Sequence, residues 1–318
     1  MQRPPVFPPS PLARGATFLG VAFVLAIVAT APAPAVTGPQ RIIAGRPDQL
    51  LPSVNDTYLI WTQDSEAFPN RFHAHARLRG TTETFRLNPA GTSGWTGGID
   101  PDQDRAIYQQ IDGRASDLYT IDLGTLRRSK LPTPINTARW EWGPRISNAF
   151  YLFARDAAST TTLFLYDRST KTMEKLVSRD LTRYYTVPGE VGERYATWSV
   201  CGPITCSAFI HDTGTDRTMR IPAPPAKARY APVVHEAEGM VYFVRSGRRC
   251  GSAVRIMRLP VTDLAAPLVG LVSLPDGVDV DFRMSLDEAG AKVDLWFSRY
   301  RCRLRQGDVY RLRDVGLG

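Results

Sequence analysis

IDPDQDRAIYQQIDGRASDLYTIDLGTLRRSKL, from Ile99 to Leu131, is the stretch that decides the fold. It opens on the turn-forming residues Asp100-Pro101-Asp102-Gln103 and runs into AIYQQI from Ala106, an apolar run of strand length. A turn leads to a second strand, DLYTIDL, which ends in Asp122. Gly124-Thr125 then makes a tight turn into a third strand that ends at Leu131. Three short strands and their turns in a few dozen residues are one supersecondary unit that cannot cover its own apolar faces.

The rest of the chain repeats this unit. Equivalent first strands are YLIWTQ from Tyr58, AIYQQI from Ala106, FYLFAR from Phe150, YATWSV from Tyr195, VYFVRS from Val241 and DLWFSR from Asp294, with starts 48, 44, 45, 46 and 53 residues apart. Partner strands read HAHARL, DLYTIDL, LFLYDR, SAFIHD, VRIMRL and DVYRLR, and the turns after three of them share Asp followed by Thr or Gly. A unit of about 45 residues is the size of a propeller blade, and blades arranged in a ring bury one another's faces. The expected fold is therefore all-β: a single six-bladed β-propeller over residues 36–318, closed by an N-terminal strand. The last unit shows only three clear strands, and Gly38 to Arg46 (GPQRIIAGR) is expected to supply its outer one.

The Ile99–Leu131 segment resembles the TolB-like, or WD40-like PD40, propeller repeat, whose usual form is Ser-Pro-Asp-Gly, strand, partner strand ending Tyr-Asp, then Thr-Gly. Tyr166-Asp167 with Ser169-Thr170, and His211-Asp212 with Thr213-Gly214, match the second turn again. Ile146-Ser147-Asn148 and Glu236-Ala237-Glu238-Gly239 depart from the first. The resemblance extends as a pattern from about Gly38 to Arg313. No segment matches the N-terminal domain of TolB itself, so that protein's translocation partners are not carried over.

Residues 1–35 read as a signal peptide. Ala16 to Ala31 is apolar and uncharged, too short for a standard membrane span, and Ala33-Pro34-Ala35 offers small residues for cleavage before Val36. The localisation expected is secreted or cell-envelope; the alternative is an uncleaved N-terminal membrane anchor. Arg3 and Arg14 are the only charges in this segment, so the formal charge of +8 falls to +6 without it. A positive balance favours acidic partners or aids solubility.

Four cysteines, Cys201, Cys206, Cys250 and Cys302, fit two disulfides in an exported chain. The preferred pairing is Cys201–Cys206 within one hairpin and Cys250–Cys302 between hairpins of adjacent blades. His211 stands alone near the first pair, so no zinc site is expected there. His73 and His75 alternate on one strand face without a third ligand. Asp100, Asp102 and Asp104 open like a calcium loop, but Arg105 and Ile111 occupy the positions where Gly and Glu belong. No metal and no cofactor are expected. No G-x-S-x-G occurs and no segment is left over for an α/β-hydrolase domain, which removes the prolyl-oligopeptidase arrangement, and no Walker or G-x-G-x-x-G motif occurs either.

Arginine is concentrated in two hairpins: Arg245, Arg248 and Arg249, and Arg299, Arg301, Arg303 and Arg305. Both connect equivalent strands of adjacent blades and so emerge on one face, suited to carboxylate or phosphate groups. The expectation is a non-catalytic, monomeric binding or scaffolding propeller with an acidic protein or anionic polymer as partner, and no specific nucleic-acid recognition. The alternative is a glycan-active lyase or hydrolase at the central channel. Trp95, Trp140 and Trp142 precede the first strands, where innermost strands would place them near that channel.

Overall fold

Each repeat of the sequence folds as an up-and-down set of short antiparallel strands. The structure, a computed structural model, describes residues 38–316 except 45–47, 66–70, 204, 223–226, 247–252, 276–277, 289–292 and 302–305; the side chains of residues 282, 300, 301 and 306 also lie outside the description. Among the described residues there is no helix.

In chain order, β1 (Gln40–Ile43) precedes a first group, β2 (Gln49–Val54), β3 (Tyr58–Asp64), β4 (Phe72–Leu78) and β5 (Thr84–Arg86). Then come β6 (Ser93–Ile99), β7 (Arg105–Asp112), β8 (Ala115–Asp122) and β9 (Arg128–Lys130), followed by β10 (Trp140–Ile146), β11 (Phe150–Asp156), β12 (Thr160–Asp167) and β13 (Met173–Asp180). Next are β14 (Tyr185–Val191), β15 (Tyr195–Cys201), β16 (Cys206–Asp212) and β17 (Arg217–Arg220), then β18 (Ala228–His235), β19 (Met240–Ser246), β20 (Val254–Pro260) and β21 (Val269–Leu274). The chain ends on β22 (Val278–Asp287), β23 (Asp294–Arg301) and β24 (Gln306–Leu312).

Pairing gives four four-stranded sheets and one eight-stranded sheet, in which β6–β9 and β10–β13 meet through the single parallel pair Trp140 and Ser116. The first strand of each group touches that of the next, from β2 to β6, β10, β14, β18 and β22 and back to β2. This cyclic contact is a β-propeller arrangement. As expected from the sequence, β1 adds to β24 as the outer strand of the last sheet, with Arg41 paired to Asp308 at 2.8 Å and Ile42 and Ile43 packed on the cluster of Trp296 and Val309.

One aromatic position recurs. The fourth residue of β3, β7, β11, β15, β19 and β23 is Trp61, Tyr108, Phe153, Trp198, Phe243 or Phe297, and all are buried. Each faces a registered residue on the next strand, and five of these pairs are stacked rings 5.5–6.2 Å apart, among them Trp198 on Phe209. Such pairs stabilise both the hairpin and the sheet-to-sheet core.

The turns between third and fourth strands obey the sequence signal. Asp122 Oδ1 accepts from the Thr125 N–H, Asp167 Oδ1 from the Ser169 and Thr170 N–H groups, and Asp212 Oδ1 from the Gly214 N–H. These bonds hold all three carboxyls below their ordinary pKa; for Asp212, where the Arg194 side chain contributes most, the value falls to about 2.

Each innermost strand carries a register break: between Leu50 and Ser53, Thr96 and Gly98, Trp142 and Arg145, Pro188 and Val191, Tyr230 and Val233, and Val280 and Met284. Bulges bend these strands toward the axis, where backbones crowd. A Cβ at Gly189 would lie 2.8 Å from the Pro232 carbonyl oxygen, and one at Gly97 would collide with that of Pro144. Hydroxyls of neighbouring strands satisfy the interrupted ladders: Thr197 Oγ1 donates to the Pro232 carbonyl and receives the Glu190 N–H, and Ser199 Oγ receives the Ala231 N–H.

Candidate functional site

At the end where innermost strands turn into their partners lies a cavity of about 340 Å³. Its lining includes Asp56, Asp102, Glu190, Glu193, Glu236, Asp287 and Glu288, together with Tyr195 and Thr197, and among the described residues no Lys or Arg. Most of these carboxylates hold a neighbour in place. Glu193 Oε1 accepts from the Asn148 N–H at 3.0 Å, and Glu236 Oε1 from the Arg194 and Tyr195 N–H groups at 2.9 Å each. Asp102 accepts from Asn148 Nδ2. Asp287, 3% exposed, pairs with Arg79 of the first sheet at 2.8 Å and accepts from Trp296 Nε1. Glu288 faces His235 at 3.9 Å.

Asp100 is fully buried and pairs with Arg168 at 2.9 Å, so it serves as a tie between strand groups and not as the first ligand of a calcium loop. The tie repeats the one between Asp287 and Arg79, since Arg79 and Arg168 each follow the third strand of their group.

Below the cavity two buried arginines link innermost strands of different groups. Arg145, fully buried, donates from Nε to the Gly189 carbonyl at 2.5 Å and from Nη1 to the Gly97 carbonyl. Arg283 donates to the Thr96 carbonyl at 3.1 Å, and a Cβ on Gly143 would lie 2.7 Å from its Nη2. Burial lowers Arg283 to about 9, so it remains cationic at neutral pH. Glu190 forms part of the cavity wall; its Oε2 is buried without a hydrogen-bond partner. Burial raises the Glu190 carboxyl above its usual range, and Arg145 and then Arg283 oppose that rise.

Two of the seven arginine candidates, Arg245 and Arg299, have described side chains, and both lie at the opposite end. Arg245 lies near the end of β19 and Arg299 near the end of β23, equivalent strands that run the same way and finish opposite the cavity. Arg299 sits over the Tyr310 ring at 4.5 Å. Arg248, Arg249, Arg303, Arg305, Cys250 and Cys302 lie outside the described residues, as does the Arg301 side chain. The Cys201–Cys206 disulfide is present and links two directly opposed residues of β15 and β16.

The other sequence candidates have structural partners. His73 and His75 share a face of β4, 6.4 Å between ring centroids, with His75 stacked on Trp61. Trp95 lies against Phe72, and Trp142 Nε1 donates to Asp156. One grouping was not visible in sequence: Glu174 on β13 comes within 4.8 Å of His211 and Asp216, contributed by the next sheet. The His211 Nε2 to Glu174 separation of 4.0 Å is wider than the roughly 3.4 Å between two ligands of one tetrahedral zinc.

No family model and no curated protein sequence matches the chain. Solved structures do. The fold is TolB-like. A putative TolB from Agrobacterium tumefaciens superposes with a TM-score of 0.58 at 11% identity, covering 86% of this chain and 93% of that one. TolB from Acinetobacter baumannii gives 0.54 at 12% identity over 81% of this chain, which spans only 64% of that protein. An oligogalacturonate lyase in complex with manganese gives 0.52 at 10% identity, covering 81% of this chain and 86% of the lyase. At such identities the likeness is one of fold. Among the described residues no helix is long and apolar enough to cross a membrane.

Proposed function

We propose that this chain is an exported, non-catalytic propeller of six PD40-like blades that works as a monomer and docks an anionic partner, an acidic protein or an anionic polymer, on its arginine-rich end. The blade count treats the eight-stranded sheet as two blades, because a single parallel pair joins its halves. Export is supported by the Cys201–Cys206 disulfide, which persists in oxidising compartments, and by the signal-like residues 1–35. The uncleaved N-terminal anchor is the other form of that reading.

The observation that carries the binding reading is the placement of Arg245 and Arg299 at the same end of the ring. Arg245 and Arg299 lie near the ends of equivalent strands of adjacent groups, at the end of the ring away from the cavity, while the carboxylates of the cavity are mostly engaged with neighbouring turns. Carboxylates that already hold turns are poorly placed to exchange protons with a substrate. The test is retention of the protein on immobilised anionic polymers against neutral ones, beside a variant with Arg248, Arg249, Arg301 and Arg303 changed to Ser. Parent retained and variant released supports the reading; equal behaviour on every matrix removes it.

A second reading, a glycan-active enzyme at the channel, is favoured by Glu190 alone. Its unpartnered Oε2 and raised pKa are features of a general acid. Release of unsaturated or reducing ends from an anionic glycan, abolished by Glu190→Gln, would establish it.

A further inference from the structure

β18, β19 and β20 lie side by side, and register places Arg229 opposite Arg245 and Arg245 opposite Arg255. Directly paired residues of an antiparallel sheet project to the same face, so three guanidinium side chains form one row across the sheet. The row is graded. Arg229, on the innermost strand, is 1% exposed; Arg245 is half-buried; Arg255 is exposed.

Arg229 is the unusual member. Its guanidinium lies 4.8 Å from the centroid of the Phe243 ring. Its Nε and Nη1 are buried without a hydrogen-bond partner. Among the described residues no carboxylate pairs with it. The local sequence offers none: between Arg217 and Pro260 the only acids are Glu236 and Glu238, in the turn at the other end of the same hairpin. Burial, and then the adjacent charge of Arg245, lower the Arg229 guanidinium to about 10. A buried cation beside a like charge is costly unless something anionic satisfies it.

We propose that Arg229, Arg245 and Arg255 form a binding site for a tetrahedral oxyanion, a phosphate or sulfate group, at the hairpin end of the β18–β21 sheet. Two neighbouring guanidiniums call for more charge than one carboxylate carries. A phosphate supplies close to two negative charges and at least three acceptor oxygens, enough to bridge Arg229 and Arg245. Arg255, one strand further out, attracts the group at the rim. The assignment deepens the basic-face reading and rests on it for its biological setting, but it is a local property that fails on its own terms.

The experiment is calorimetric titration of the purified protein with inorganic phosphate, against sodium chloride at equal ionic strength, for the parent, Arg229→Gln and Arg255→Ser. The expected result is one phosphate per parent chain, with affinity lowered about ten-fold or more in Arg229→Gln and about three-fold in Arg255→Ser. Arg255 is exposed, so its variant keeps the measurement meaningful if Arg229→Gln does not fold. A polyphosphate arm separates the sources: binding of polyphosphate without inorganic phosphate, lost in the same variants, assigns the site to a polymer-borne group. Phosphate binding unchanged in both variants, or no binding of either probe by the parent, overturns the proposal. Retention on anionic polymers that survives in Arg229→Gln while phosphate binding is lost leaves both readings standing. Phosphate binding that is insensitive to Arg229 removes this one alone.

Discussion

Arg283 donates from its guanidinium Nη1 to the main-chain carbonyl of Thr96, 3.1 Å away, joining the last group of strands to the second across the ring. Arg145, bound to the carbonyls of Gly97 and Gly189, makes a second buried link between groups. Gly143 makes the Arg283 link possible: its φ is +62°, and an added Cβ would lie 2.7 Å from Arg283 Nη2 and 3.1 Å from the Pro188 ring. Gly143→Ala should therefore lose about 2 kcal/mol through left-handed strain and displacement of Arg283. Denaturant unfolding checks it; a loss under about 0.5 kcal/mol would show that the axis tolerates rearrangement.

The closing strand gives a second expectation. Deleting Gly38 to Arg46 removes the Arg41–Asp308 pair and the Ile42 and Ile43 contacts, and bares the edge of β24. A loss of about 3 kcal/mol follows from the half-buried isoleucines and the lost ladder. An unchanged melting temperature would mean that β1 does not contribute to closure.

The Arg79–Asp287 pair ties the first and last groups where Asp287 is almost fully buried. Arg79→Met should cost about 3 kcal/mol, because it leaves a buried carboxylate with Trp296 Nε1 as its main remaining donor. Arg79→Met combined with Asp287→Leu should recover part of that loss. A double variant as unstable as the sum of its single variants would show that the pair is not coupled.

Acid should destabilise the fold through His75, whose pKa burial, then His73 and Arg86, lower from 6.5 to about 4. A base with a depressed folded pKa binds fewer protons folded than unfolded. Its contribution is full above pH 6.5, declines as pH falls towards about 4 and is constant below that. The parent should lose up to about 3 kcal/mol relative to His75→Gln across this window. Parallel stability–pH curves for the two proteins would refute it.

Much of the ring was legible in sequence because the signals are local. An Asp followed by Thr or Gly fixes its own turn, as at Asp122, Asp167 and Asp212. An apolar run with an aromatic at its fourth position, such as FYLFAR or YATWSV, has little alternative to a buried strand. The innermost strands were harder to read. Leu51-Pro52, Gly143-Pro144, Gly189-Glu190 and Ala231-Pro232 break periodicity and look like turns, whereas they are bulges that let backbones meet at the axis. In five of the six groups the available signal was a Gly or Pro six to eight residues before the following strand: Pro52, Gly97, Pro144, Gly189 and Pro232. The Arg229 row was invisible for a different reason: it depends on register across three strands, and Arg229 and Arg255 stand apart from the hairpin whose composition drew notice.

The central claim is that the basic end holds an anionic partner by charge. Its most direct measure is the affinity of the parent for a bound polyanion at about 50 and about 300 mM salt, beside the variant with Arg248, Arg249, Arg301 and Arg303 changed to Ser. The account expects the parent to bind tightly at low salt, to weaken about ten-fold or more at the higher salt, and to exceed the variant throughout. Affinity that is independent of salt and equal in the two proteins would contradict it.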